Sequence, residues 1–313
     1  MTDRTGGPIT TRVEQAEAIL RASPDHRVLK RIPSTEIWAP TSTRNDGDVR
    51  RAAFVDVETT GLDLEGDEVI ELAILPFDYD LQTGTVLGAL PEMGLFALRE
   101  PSIPIPDEAS AVHGIGMDDV RGATIDEAEI GAVLASIELL IAHNAAFDRP
   151  MVEKHWPIFE EKAWACSLSE VDWRHAGMSA GKLDYLLMRF GWFFEGHRAR
   201  HDAEAGAFLL TQKLPDTERS VLSALLENAR TKKFLIRATG APYEARGLLK
   251  RSGYRWDPGD DTTEKAWWLI TATPESETEW LRKNVFRRNV AIPIVPVSAR
   301  TRHSLRQFRP PPH

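Results

Sequence analysis

The sequence predicts a mixed α/β domain followed by a smaller, basic α/β domain. Three observations lead there. Three strand-like segments open the main domain in succession. Buried strands then alternate with stretches of helical periodicity. Finally, the charge changes sign: from Thr231 onward there are 16 Lys/Arg against 8 Asp/Glu, whereas residues 1–230 hold 22 against 39. An acidic body joined to a basic segment points to a polyanion partner. The 313 residues suit one catalytic domain plus an accessory. The expected divisions are a helical lead-in and linker over 1–50, a catalytic domain over 51–232, an accessory domain over 233–299 and a disordered, basic, Pro-rich tail over 300–313.

The elements follow in order. Apolar spacing predicts a helix from Arg12 to Ala22. The polar stretch from Thr41 to Arg51 reads as a loop. Ala52 to Val57, Glu68 to Phe77 and Gly84 to Leu98 read as a meander of three strands, with a turn at Gln82-Thr83-Gly84. Thr124 and Glu127 form a capping-box pattern for a helix running to Ser136. Leu139 to Ala142 is a buried strand, and a helix is expected from Ala146 to His155. Further helices are expected over 182–190, 202–214 and 218–231. In the basic segment a short helix opens at Ala241-Pro242-Tyr243 and ends near Gly253. Two strands follow, 254–256 and 265–270. Trp256, Trp267 and Trp268 lie there among Arg and Lys; they either stack on single-stranded bases or form the core of a small domain, the latter for two of the three.

Composition narrows the function classes. The apolar content of 42% and charged content of 27% are those of a globular protein. The single cysteine, Cys166, excludes an internal disulfide framework and fits a reducing cytoplasm. No apolar run is long enough to span a membrane, and the polar start does not read as an export signal. A cytoplasmic location is therefore expected. The net charge of −9 is compatible with phosphate chemistry if the carboxylates hold cations, which invert the local field.

Three short stretches carry the chemistry. In Phe54-Val55-Asp56-Val57-Glu58-Thr59-Thr60-Gly61 a strand ends in two acids, which alternation places on one face. Asp56 sits among apolar neighbours, where an isolated carboxylate is costly. A hard cation held between the pair removes that cost; a strand-end turn with incidental acids is the other reading. In His143-Asn144-Ala145-Ala146-Phe147-Asp148 a buried strand runs into a helix with Asp148 in its first turn, where an acid also serves simply as a helix N-terminal charge. In Gly196-His197-Arg198-Ala199-Arg200-His201-Asp202, His197 precedes Asp202 by five positions. His201-Asp202 could also belong to a His-Asp phosphohydrolase, but no partner ligands stand in a helical context.

Together these stretches resemble the DEDDh family of 3′→5′ exonucleases, which includes the epsilon subunit of bacterial DNA polymerase III. Asp56-x-Glu58-Thr59-Thr60-Gly61, His143-Asn144-x-x-Phe147-Asp148, and His197 five residues before Asp202 match its three motifs in order. Val112-His113-Gly114-Ile115 matches an intervening element. The resemblance covers roughly residues 51–215. Arg198 stands where the tyrosine subtype would place its tyrosine. The resemblance implies an RNase H-like fold with a mixed five-stranded sheet flanked by helices. It implies two divalent ions, Mg²⁺ or Mn²⁺, held by Asp56, Glu58, Asp148 and Asp202. Asp56 would bridge both ions, Glu58 and Asp202 would hold the one that binds the attacking water, and Asp148 would support the second through water. His197 would be the general base. Thr59, Thr60, His113 and Asn144 would touch the substrate. The implied partner is nucleic acid at single-stranded or frayed 3′ ends, DNA ahead of RNA, with a polymerase or repair protein as a further partner.

Overall fold

The computed structural model describes residues 9–35, 38, 48–215, 217–261 and 263–308. The lead-in holds helix α1 (Ile9–Ala22) and the two-residue strand β1 (Lys30–Arg31). Residues 41–47, most of the expected linker, lie outside the described residues. The main sheet begins with β2 (Val49–Thr59), β3 (Val69–Asp80), β4 (Val86–Ala89) and β5 (Leu95–Leu98). Three short helices follow: α2 (Asp107–His113), α3 (Met117–Val120) and α4 (Glu127–Leu134). Then come β6 (Leu139–Ala142), α5 (Ala145–His155), β7 (Ala163–Cys166), α6 (Leu183–Arg189), β8 (Trp192–Phe193), α7 (Ala199–Thr211) and α8 (Val221–Arg230).

The strand order is β4-β3-β2-β6-β7, with β5 also paired to β3. The β2–β3 pair is antiparallel, and β2–β6 and β6–β7 are parallel. The sheet is therefore mixed and flanked by helices, as expected. It has six strands rather than five, because the expected third strand is broken. Pro91 opens a single helical turn, Pro91–Met93; proline has no N–H to donate to a ladder. A second expectation also fails. Asp126, not Thr124, caps α4, accepting from the Ala128 N–H at 2.9 Å, so the helix starts later and ends at Leu134.

Strand alternation divides the core. Ala52 and Phe54 face one side with residues of α6, α7 and α8. Ala53, Val55 and Val57 face the other, with residues of α4 and α5. Asp56 and Glu58 share the parity of Phe54, so β2 delivers both acids to the face that α7 covers. α7 lies close because residue 206 is glycine: a Cβ there would fall 2.1 Å from the Phe54 ring.

A second sheet begins at β9 (Lys233–Thr239). It continues through α9 (Arg246–Arg251), β10 (Arg255–Asp257), β11 (Ala266–Thr271), α10 (Pro274–Leu281) and β12 (Ile294–Val297). Its order is β10-β11-β9-β12, all antiparallel, around a core that includes Ile236, Leu249, Tyr254 and Leu281. Trp256 is 50% exposed on the edge strand, while Trp267 and Trp268 are half-buried.

Residues 300–308 are ordered, contrary to the expected tail; the closing residues 309–313 lie outside the described residues. The reason is a set of partners far back in the chain. Buried Arg149 donates to the carbonyls of Ala299, Arg300 and Arg302. The Trp164 N–H donates to the Ala299 carbonyl at 2.8 Å. Arg302 pairs with Glu170, and Arg306 with Glu153 at 2.9 Å. Arg302 and Arg306 are thus paired with acids of the first body, and Arg300 donates to the Glu161 carbonyl. No helix among the described residues is long and apolar enough to cross a membrane.

Candidate active site

Three elements far apart in sequence bring acids together. Asp56 and Glu58 come from β2, and Asp202 from the first turns of α7; one carboxylate oxygen of each lies within 4.8 Å of the others. Asp148, from α5, stands outside that trio but close enough to raise the Asp56 carboxyl. Asp148 is buried, and the Val57 backbone beside it offsets part of the rise in its pKa. Asn144 makes its placement possible. At φ +86° it holds the left-handed conformation that Asn tolerates better than most residues, turning the chain from β6 into α5.

All four acids are pushed toward protonation. For Asp56 burial is the main cause, followed by the charges of Asp148, Asp202 and Glu58. Burial and the charges of Asp202, Glu71 and Asp148 push Glu58 up to about 8. Burial raises Asp148 as well, with Asp202 adding to it. In Asp202 burial again leads, opposed by the backbone N–H groups of Arg198 and His197. The Arg198 N–H donates to Asp202 Oδ2 at 3.2 Å.

The nearby cation does not neutralise this cluster, because Arg198 is committed elsewhere. Its guanidinium donates to both oxygens of Glu71, at 2.9 and 3.1 Å, and the Ala199 N–H adds a third bond to Glu71 at 3.0 Å. Four crowded carboxylates, only partly offset by Arg198, suit divalent cations that prefer oxygen. Asp56, Glu58 and Asp202, with one oxygen each inside a 4.8 Å span, are the residues that would hold such an ion.

The other expected residues are placed as follows. His197 is exposed, in the loop before α7, at φ +65°, and its charge and backbone both act on Asp202. His201 turns away, bonding the Glu195 carbonyl at 3.1 Å. Thr59 donates to the Gly61 carbonyl. Thr60 is buried, donates to Asp67 at 2.9 Å and accepts from the Glu68 N–H, so its hydroxyl is fully used within the turn. His113 is buried; its Nδ1 accepts from the Ile115 N–H at 3.1 Å, and its Nε2 has no hydrogen-bond partner among the described residues. Burial lowers its pKa, against the pull of Glu71. His143 bridges Ser167 and the Gly181 carbonyl, a structural tie. Asn144 is exposed.

Glu71 went unnoticed in the sequence. It pairs in register with Glu58 across β2 and β3 and, with Arg198, clamps the loop that carries His197. The available signal was an acid within a strand whose other residues are almost all apolar.

Comparison with known proteins gives a family match. The family model RNase_T, described as Exonuclease, matches residues 53–210. A DNA polymerase III of PolC type from Listeria monocytogenes is 29% identical over 174 residues, covering 52% of this chain and 11% of the relative. The chain thus spans about a tenth of that curated relative's length. Among solved structures, Exonuclease X in complex with 5′-overhanging duplex DNA aligns at 21% identity and a TM-score of 0.41, over 56% of this chain and 99% of the other. Exonuclease I of E. coli, in complex with an oligonucleotide, aligns at 18% identity and a TM-score of 0.43, over 83% and 66%.

Proposed function

Because this chain belongs to the exonuclease family, we propose that it hydrolyses phosphodiester bonds at nucleic-acid 3′ ends, releasing nucleoside 5′-monophosphates from single-stranded or frayed DNA. The observation that carries the reading is the convergence of Asp56, Glu58 and Asp202 within 4.8 Å, with Asp148 beside them. Asp56, Glu58 and Asp202 would hold divalent cations, two of Mg²⁺ or Mn²⁺ across the site, with Asp148 acting through water. When bound, the ions supply charge neutralisation at the reacting phosphate and a nucleophile at neutral pH.

The chain's own residues do the rest. His197 accepts the proton of the attacking water, for which an exposed imidazole is suited. The water oxygen bonds to phosphorus, and the bond from phosphorus to the 3′-oxygen of the penultimate nucleotide breaks. That oxygen takes up a proton from solvent and leaves as the new 3′-hydroxyl, and the proton held by His197 passes to solvent. Glu71 and Arg198 hold the His197 loop against β3, fixing the imidazole's approach. The folded basic second body favours a free-standing enzyme over a polymerase subunit; stable co-purification with a polymerase would reverse that preference.

The test is an assay on 5′-labelled single-stranded DNA and on matched RNA, with Mn²⁺, Mg²⁺ or chelator. Metal-dependent shortening from the 3′ end is expected, with DNA preferred. An Asp56→Asn, Glu58→Gln double variant should be inactive. A His197→Ala variant should lose about 10²–10⁴-fold in rate while binding metal normally. Undiminished cleavage by the double variant would sink the assignment.

A further inference from the structure

A cavity of about 540 Å³ lies between the two bodies, within the roughly 300–1,000 Å³ typical of small-ligand sites. Asn144 and Ala146, on the turn that leads to Asp148, form part of its wall. The second body contributes Lys233, Arg255 and Trp268, and the 302–307 segment contributes Arg302, His303 and Gln307. We propose that this cavity binds one nucleoside monophosphate unit, with the phosphate held by Lys233 and Arg255 and the base against Trp268. The choice of ligand rests on the nuclease reading above; the cavity and its chemistry do not.

Charge is the first argument. Glu170 is the acid in the wall, and it is already paired with Arg302, the two side chains being 3% and 8% exposed. Lys233 approaches it only to 3.6 Å. Arg255 makes no ion pair among the described residues; its guanidinium lies 5.6 Å from the centre of the Trp268 ring. The site is therefore cationic in excess, as a phosphate requires.

Unsatisfied polar atoms are the second argument. Among the described residues, His303 Nε2 and Gln307 Oε1 are buried without a hydrogen-bond partner, and His303 Nε2 stands 3.8 Å from Glu170. Buried polar atoms are rarely left unpaired. A base edge carries both donors and acceptors and so can meet both atoms. Trp268 and the planar Arg255 beside it are surfaces on which bases stack.

The nucleotide could be an internal unit of the bound strand or the released monophosphate. Binding to the full chain in chelator separates them, with dAMP and an eight-residue thymidylate as probes and inorganic phosphate as control. Arg255→Glu and Trp268→Leu should each weaken nucleotide binding by about tenfold, and Arg255→Lys should restore part of it. Circular dichroism would verify that each variant is folded. An effect on the oligonucleotide alone, with a shallower salt dependence, identifies the strand. An effect on dAMP identifies the released product. Unchanged affinity for both probes in both variants overturns the proposal. Because no cleavage is read, an inactive wild-type enzyme would count against the nuclease reading and leave this result standing.

Discussion

At Glu58 the crowding of the site becomes a measurable linkage. Its carboxyl, ordinarily near 4.5, is pushed up to about 8 by burial and by the charges of Asp202, Glu71 and Asp148. The folded, metal-free protein thus binds protons that an unfolded chain would release. Its contribution to stability is fully present below pH about 4.5 and is lost as pH rises toward about 8. Cations that take those oxygens must displace the protons. Calorimetric titration with Mg²⁺ or Mn²⁺ in buffers of differing ionisation enthalpy should show proton release at pH 6.5–7 that fades above about 8. Asp56→Asn should raise metal-free stability near neutral pH, by about 1.4 kcal/mol for each unit by which its neighbours relax. Buffer-independent heats would contradict this account. The acids themselves were legible in the sequence, since a two-residue strand spacing and a five-residue loop-to-helix spacing carry the chemistry locally. Glu71 was not, because its partner Arg198 stands 127 residues away.

Elements reveal a different limit. Helices and strands with clear apolar periodicity, such as β6 and α5, were readable to within a residue. The breaks were not: Pro91 divides one expected strand, and Asp126 displaces Thr124 as the cap of α4. β9 and β12 escaped notice because basic or proline-containing edges obscure their alternation. Contact between elements is invisible to periodicity altogether. Gly206 shows this, since helix propensity alone favours alanine there by about 1 kcal/mol. Yet a Cβ would fall 2.1 Å from the fully buried Phe54 ring, and overpacking typically costs about 1–3 kcal/mol. Gly206→Ala should therefore be destabilising in urea unfolding and should lower nuclease activity, because Asp202 lies one turn away on the same helix. Pairing it with Phe54→Leu should recover part of the stability. A Gly206→Ala protein as stable and active as the parent would refute the claim that this contact sets the position of α7.

On the scale of the whole molecule, Glu170 is the point where three parts meet. It accepts from the Cys166 N–H at 2.8 Å, pairs with Arg302 and faces Lys233 of the second sheet. Removing one member of a buried pair strands the other. Arg302→Ala should cost about 3–5 kcal/mol, whereas replacing both Arg302 and Glu170 with apolar residues should cost far less. Chemical denaturation of the single and double variants measures both, and equal losses would argue against a stranded charge. Composition alone portrayed residues 300–308 as a solvated tail, since it could not see Glu153 and Glu170 waiting roughly 130–150 positions upstream. The same stitching orders events during synthesis. Arg149 reaches one of its acceptors, the Arg302 carbonyl, only 153 residues later. At about 5–20 residues per second, translation takes roughly 8–30 s to cover that interval. Throughout it, the helix bearing Asp148 has a guanidinium with most of its acceptors still unmade. The helix that carries Asp148 therefore gains most of its buried polar anchorage only after residues 299–302 have been made.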